Sequence, residues 1–123
     1  MMLKDEFKNK RIAVIGDIML DEYYDCDVDR ISPEAPIPII KTTKGRRTYG
    51  LGGSSNVALN LDALGITTHL FGYIGNDEAG DIIISKLASK VIVNFLAKSL
   101  KPTIRKIRFR NEQQQNLKIM MQL

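Results

Sequence analysis

The sequence has no tryptophan, one cysteine and one histidine, and each scarcity removes a class of function. With Cys26 alone there is no internal disulfide and no multi-cysteine metal site, which fits a reducing compartment. His69 lies in the apolar run 67–74 and is expected as a packed or rim residue rather than a ligand. No stretch approaches the roughly 20 apolar residues that a membrane span needs. The apolar segment from Ile12 to Leu20 is broken by Asp17, so the start does not read as a signal peptide. Internal repeats and low-complexity tracts are also lacking. The expectation is a cytoplasmic protein with no membrane partner.

What is present is enough for a core: 44% of the 123 residues are hydrophobic, which suits one domain or a piece of a larger one. The net charge of +4 is unevenly spread. Acids crowd 17–34, against the single base Arg30, whereas Lys98, Lys101, Arg105, Lys106, Arg108 and Arg110 crowd 98–110 without an acid. The basic cluster reads as a solvated strand face, an anion site or a nucleic-acid footprint, in that order. Nucleic acid comes last because aromatics do not interleave with the bases as a stacking platform requires; no nucleic-acid partner is expected.

The run Ile12-Ala13-Val14-Ile15 is continuously apolar and mostly β-branched, as in a strand buried on both faces. It ends at Gly16-Asp17, which puts a carboxylate at the carboxyl edge of a sheet, where open α/β folds hold ligands. Asp21 follows close enough to face the same crevice. From Glu22 to Tyr49, Pro33, Pro36 and Pro38 forbid a helix and disfavour a central strand. This segment is expected to be a flap of edge strands that leaves the main sheet after Asp21 and returns at Gly50.

The stretch 50–60 is the centre of the chain's organisation. Gly50, Gly52 and Gly53 allow a ligand close to the backbone, and Ser54 and Ser55 are good helix caps. Val57, Ala58, Leu61 and Leu64 then keep helical spacing until Gly65. A second strand is expected over 67–75, a helix capped by Asn76 with the stripe Ala79, Ile82, Ile83, Leu87 and Ala88, and a third strand over 91–96. That is a βαβαβ unit, and right-handed crossovers make its sheet parallel. Residues 102–110 alternate as a solvent-facing strand, with Ile107 and Phe109 on one face and Arg108 and Arg110 on the other. A polar turn over 111–116 and a returning strand over 117–123 complete the pattern.

Four strings occur in the order and spacing of one family: Val14-Ile15-Gly16-Asp17-Ile18-Met19-Leu20-Asp21, Arg30-Ile31-Ser32-Pro33-Glu34-Ala35-Pro36-Ile37-Pro38, Gly52-Gly53-Ser54-Ser55-Asn56-Val57-Ala58 and Pro102-Thr103-Ile104-Arg105-Lys106. In these the chain resembles the ribokinase-like (PfkB) sugar kinases over about residues 11–115. The Arg30 to Pro36 string is most similar to the heptose-7-phosphate kinase branch, whose members supply ADP-heptose for lipopolysaccharide. The resemblance implies an α/β, ribokinase-like fold, with 1–123 as the N-terminal βαβαβ part of a parallel sheet flanked by helices, and 22–49 and 102–123 as strands of a small β lid. It implies that Asp21, and secondarily Asp17, bind sugar hydroxyls together with Gly52, Gly53 and Asn56. Lys106 and Arg108 would lie on the lid within reach of a substrate phosphate, with a solvated lid face as the alternative. The lid often pairs two subunits, so a homodimer is a further implication.

The same resemblance implies that phosphoryl transfer uses ATP, Mg²⁺ and the aspartate of a Gly-Ala-Gly-Asp motif far downstream. No such motif occurs in this sequence. Ala79-Gly80-Asp81 is not a substitute, because it falls inside a helix, so the expected catalytic set is empty. The chain alone is expected to bind neither ATP nor Mg²⁺ and to be inactive. Ser54 departs from the family pattern, which has glycine, alanine or proline there, and the segment from Lys106 to Gln113 is shorter than in relatives.

Overall fold

The computed structural model describes residues 2–41, 46–110 and 116–121. A short helix, α1 (Met2–Phe7), leads into β1 (Arg11–Ile15) and β2 (Ile18–Asp25). A ribbon of β3 (Asp27–Ile31) and β4 (Pro38–Lys41) follows, then β5 (Arg47–Gly53), α2 (Ser54–Ala63) and β6 (Thr67–Gly75). The remaining elements are α3 (Glu78–Leu87), β7 (Ile92–Ser99), β8 (Ile104–Arg110) and β9 (Asn116–Met121).

Two sheets organise these elements. The first has the order β1-β6-β7 with both pairings parallel, as the βαβαβ pattern requires. The second has the order β5-β2-β8-β9, in which β2 runs antiparallel to β5 and parallel to β8. The ribbon β3–β4 forms a separate antiparallel pair, and Pro38 sits at the start of its strand, where a missing N–H is tolerated. The returning strand pairs antiparallel with β8 over 116–121. The polar turn expected before it falls on 111–116, of which 111–115 lie outside the described residues.

The core lies where the sheets meet the helices. Ile18, Leu20 and Leu51 from the second sheet join Leu70 and Ile74 of β6, Ala58 of α2, and Ala79, Ile83 and Leu87 of α3 in one buried cluster. The four-residue spacing of Ala79, Ile83 and Leu87 puts them on one stripe of α3, which explains why that helix docks there. Among the described residues no helix is long and apolar enough to cross a membrane.

Four expectations are corrected. β1 is not buried on both faces: it is the edge strand of its sheet, the packed helices cover only the Leu70 side, and Ile15 stays 80% exposed, as does Tyr73 at 73% on the same open face. The excursion begins earlier than Glu22, because β2 starts at Ile18 and carries Asp21 inside the second sheet. The cap of α3 is Asp77 rather than Asn76; its side chain accepts a hydrogen bond from the Gly80 N–H. The third strand runs three residues further than expected, to Ser99.

Candidate functional site

The glycine-rich stretch is the end of β5 and the entry to α2. Its serines do not cap the helix: the cap is Gly53, whose φ of 60° is open to glycine, and Ser54 and Ser55 are the first helical residues. Their hydroxyls donate backward instead, Ser54 to the Asp17 carbonyl at 2.9 Å and Ser55 to the Gly52 carbonyl at 2.6 Å. The Ser54 N–H also donates to the Asp17 carbonyl, so the link between β1 and β2 is tied to the start of α2. Ser54, where the family pattern has a smaller residue or proline, thus spends its hydroxyl on the scaffold. Gly52 is a close approach, since a Cβ there would come within 2.7 Å of Asp21 Oδ1 and of Met19 Cγ.

Asp21 stands over this floor in the middle of β2, paired with Gly50 on one side and Lys106 on the other. Its side chain is 13% exposed, with Lys106 Nζ 3.5 Å from Oδ1 and Arg108 Nη1 4.0 Å from Oδ2. Those are ion-pair distances rather than hydrogen bonds, and among the described residues the buried Oδ1 has no hydrogen-bond donor. Arg108 is directed by Tyr23, whose hydroxyl accepts from Nη1 at 2.7 Å, and Arg110 lies over the same ring while pairing with Asp25 at 3.0 Å. A carboxylate with open acceptor capacity beside two cations suits a ligand that carries both hydroxyls and an anionic group.

Asp21, Gly52, Lys106 and Arg108 are therefore brought together. Gly53 borders this floor, and a Cβ there would run into the Asp17 carbonyl and the Met19 side chain. Asn56 lies exposed in the first turn of α2, and among the described residues neither it nor the Asp17 side chain hydrogen-bonds to the Asp21 group. Asp17 instead lines a separate cavity of about 340 Å³ at the carboxyl ends of β1, β6 and β7, with Tyr73, Ser99 and Lys101. Asp81 is 72% exposed on α3 and 3.9 Å from Lys98 Nζ, a surface pair of little energetic weight.

The basic cluster is not simply a solvated face. Arg105, Lys106, Arg108 and Arg110 on β8 lie beside the acids of β2, so the two opposite charge clusters of the sequence are strand neighbours. The buried partner of this group went unseen in the sequence. Glu22, 1% exposed, receives two hydrogen bonds from Arg105 at 2.7 and 2.8 Å and a longer one from Arg47 at 3.5 Å. The Glu22 hydrogen bonds raise the Arg105 pKa above its ordinary value. The signal was in the dipeptides: Asp21-Glu22 and Arg105-Lys106 each point one charge to each face of a strand.

A second missed group ties the sheets together. Thr103, 3% exposed, donates its N–H and hydroxyl to the Asp77 carboxylate at 2.8 and 2.6 Å and accepts from the Gly75 N–H at 2.9 Å. Burial opposes the charge on Asp77, yet the hydrogen bonds from Thr103 and Gly80, with Arg105 nearby, outweigh it and hold the carboxyl below the usual range.

Comparison with known proteins gives this geometry its family. The pfkB family carbohydrate kinase pattern matches residues 9–123. The bifunctional protein HldE of Haemophilus influenzae (strain PittEE) is 39% identical over 115 residues, which are 93% of this chain and 24% of that protein. HldE of Aeromonas hydrophila is 42% identical over the same length. Among solved structures, a ribokinase from Arabidopsis thaliana, complexed with ribose and ATP, superposes with a TM-score of 0.70 at 22% identity, covering 91% of this chain and 35% of that one. A carbohydrate kinase from Agrobacterium tumefaciens gives 0.71 at 19% identity with the same coverage. This chain spans about a quarter of the curated relatives it matches. It belongs to the pfkB carbohydrate kinase family and has a ribokinase-like α/β fold.

Proposed function

We propose that this chain is the sugar-binding, N-terminal part of an ATP-dependent kinase that phosphorylates heptose 7-phosphate on the way to ADP-heptose and lipopolysaccharide. The observation that carries the reading is the buried Asp21 Oδ1, which has no hydrogen-bond donor among the described residues and stands over Gly52 beside Lys106 and Arg108. A buried acceptor left open is costly unless a ligand donates to it.

In this reading sugar hydroxyls donate to Asp21, with Asp17 as a second acceptor, and the Gly52-Gly53 backbone lets the ring come close. The Asn56 amide reaches a further hydroxyl. Lys106 and Arg108 take the phosphate at the far end of the sugar, and the Tyr23 hydroxyl keeps the Arg108 guanidinium in place. The heptose assignment rests on the string from Arg30 to Pro36 together with HldE relatives at about 40% identity. Bound ATP and Mg²⁺ would supply the phosphoryl group and neutralise its charge in the complete enzyme. The chain alone has no residue in the role of the family's Gly-Ala-Gly-Asp base, so it binds sugar phosphate without transferring a phosphoryl group. A pairing module without chemistry is the second reading. It is favoured by the exposed Ile31 and Ile37 of the β3–β4 flap, which suit contact with a second copy.

Titration calorimetry of the 123-residue chain with heptose 7-phosphate tests this. Binding is expected for the wild type, and a loss of about tenfold or more for Asp21→Asn, since one charge-assisted contact is removed. Added ATP is expected to change nothing. Absence of binding overturns the sugar site, and transfer from ATP overturns the inactivity of the chain alone.

A further inference from the structure

Strand β8 reaches β2 by a route that leaves its register open. The two strands are parallel, and the residues that meet across them are far apart in the chain, 83 positions for Glu22 and Arg105. No tight turn links them, so nothing like a hairpin loop sets the pairing. Register nevertheless decides the site. A slip of one residue would turn Lys106 and Arg108 toward the core and bring Arg105 and Ile107 to Asp21.

Just before β8 begins, the chain passes through Thr103, a buried polar residue that follows the exposed residues 100–102. Its N–H and hydroxyl both reach Asp77, which also accepts from Gly80 in the first turn of α3. The Thr103 hydroxyl accepts in turn from Gly75, the last residue of β6. One carboxylate and one hydroxyl thus join the end of β6, the start of α3 and the start of β8. Three residues further on is Lys106, and one residue before it Arg105 closes on Glu22.

We infer that Asp77 and Thr103 form the register pin of β8 and are positioning residues for the substrate-side cations Lys106 and Arg108. The pin touches no substrate. It acts by fixing which face of β8 each cation takes, and it rests on the sugar-phosphate reading of the Asp21 face.

The test uses the 123-residue chain with Thr103→Val, Thr103→Ser and Asp77→Asn. Heptose 7-phosphate binding is expected to weaken about tenfold in Thr103→Val and Asp77→Asn and to lose its dependence on salt, because the cations no longer face the phosphate. Thr103→Ser, which keeps the hydroxyl, is expected to restore both. Wild-type affinity in folded Thr103→Val, or equal loss in Thr103→Val and Thr103→Ser, overturns the inference. If the wild type binds no heptose 7-phosphate, the functional reading fails and the pin is judged by amide hydrogen exchange. Exchange at Lys106 and Arg108 faster by about tenfold in Thr103→Val, with Val14 and Leu70 unchanged, upholds it. Unchanged exchange at Lys106 and Arg108 overturns it.

Discussion

On one face of the second sheet Asp21 stands beside Lys106 and Arg108; on the other its chain neighbour Glu22 stands beside Arg105 and Arg47. The ingredients match and the outcomes do not. Glu22 is closed by a bidentate arginine, and Arg47 lies over the rings of Tyr24 and Tyr49 while Tyr24 packs on Phe109 at 5.4 Å. Asp21 keeps its cations at 3.5 and 4.0 Å and an acceptor without a donor among the described residues. The comparison teaches that charge type and spacing do not tell a carboxylate closed by its cations from one that keeps an unfilled acceptor. What separates them is whether the acceptor sites are already filled.

The largest effect tests the closed face. Glu22→Ala removes the buried acceptor of the pair and leaves Arg105, 32% exposed, without its bidentate partner, an expected loss of about 1.5–3 kcal/mol, whereas Asp21→Asn is expected to cost about 1 kcal/mol or less. Urea denaturation of both variants checks this. Similar losses for the two would erase the distinction between the faces.

An intermediate effect concerns acid. The Asp77 carboxyl titrates below its unfolded value of about 3.9, so its stabilisation is complete above that pH and fades as pH falls through the folded value. Asp77→Asn is therefore expected to be less stable than the wild type at neutral pH, with the gap closing as pH falls through the lowered folded value. Denaturation midpoints compared at neutral and acidic pH check the sign. The smallest effect is reserved for Asp81→Asn, which removes only the exposed pair with Lys98 and is expected to move stability by less than about 0.5 kcal/mol. It serves as the baseline for the two faces.

Much of this was legible from residue order. The β-branched run before Gly16, the stripe of Ala79, Ile83 and Leu87, and the stop at Gly65, observed at φ 87°, each follow from local rules of period and backbone freedom. The motifs also singled out Asp21 and Gly52, which the fold brings into close approach. Asp77 was misplaced by one residue as a cap, because Asn76 and Asp77 are both good caps and only the Gly80 and Thr103 contacts choose between them. Glu22 was passed over, since the Asp21-Glu22 dipeptide puts one acid on each face of a strand without marking which face is buried.

What the sequence determined by itself is local: which segments are strands or helices, and where glycine lets the chain turn or a ligand approach. The pairing of β2 with β8, which turns two opposite charge clusters into one closed ion pair at Glu22 and one looser group at Asp21, was decided only in the tertiary structure. The physical reason is that a parallel pairing between distant segments is set by contacts elsewhere, here the buried Thr103 and Asp77, and no local pattern encodes it.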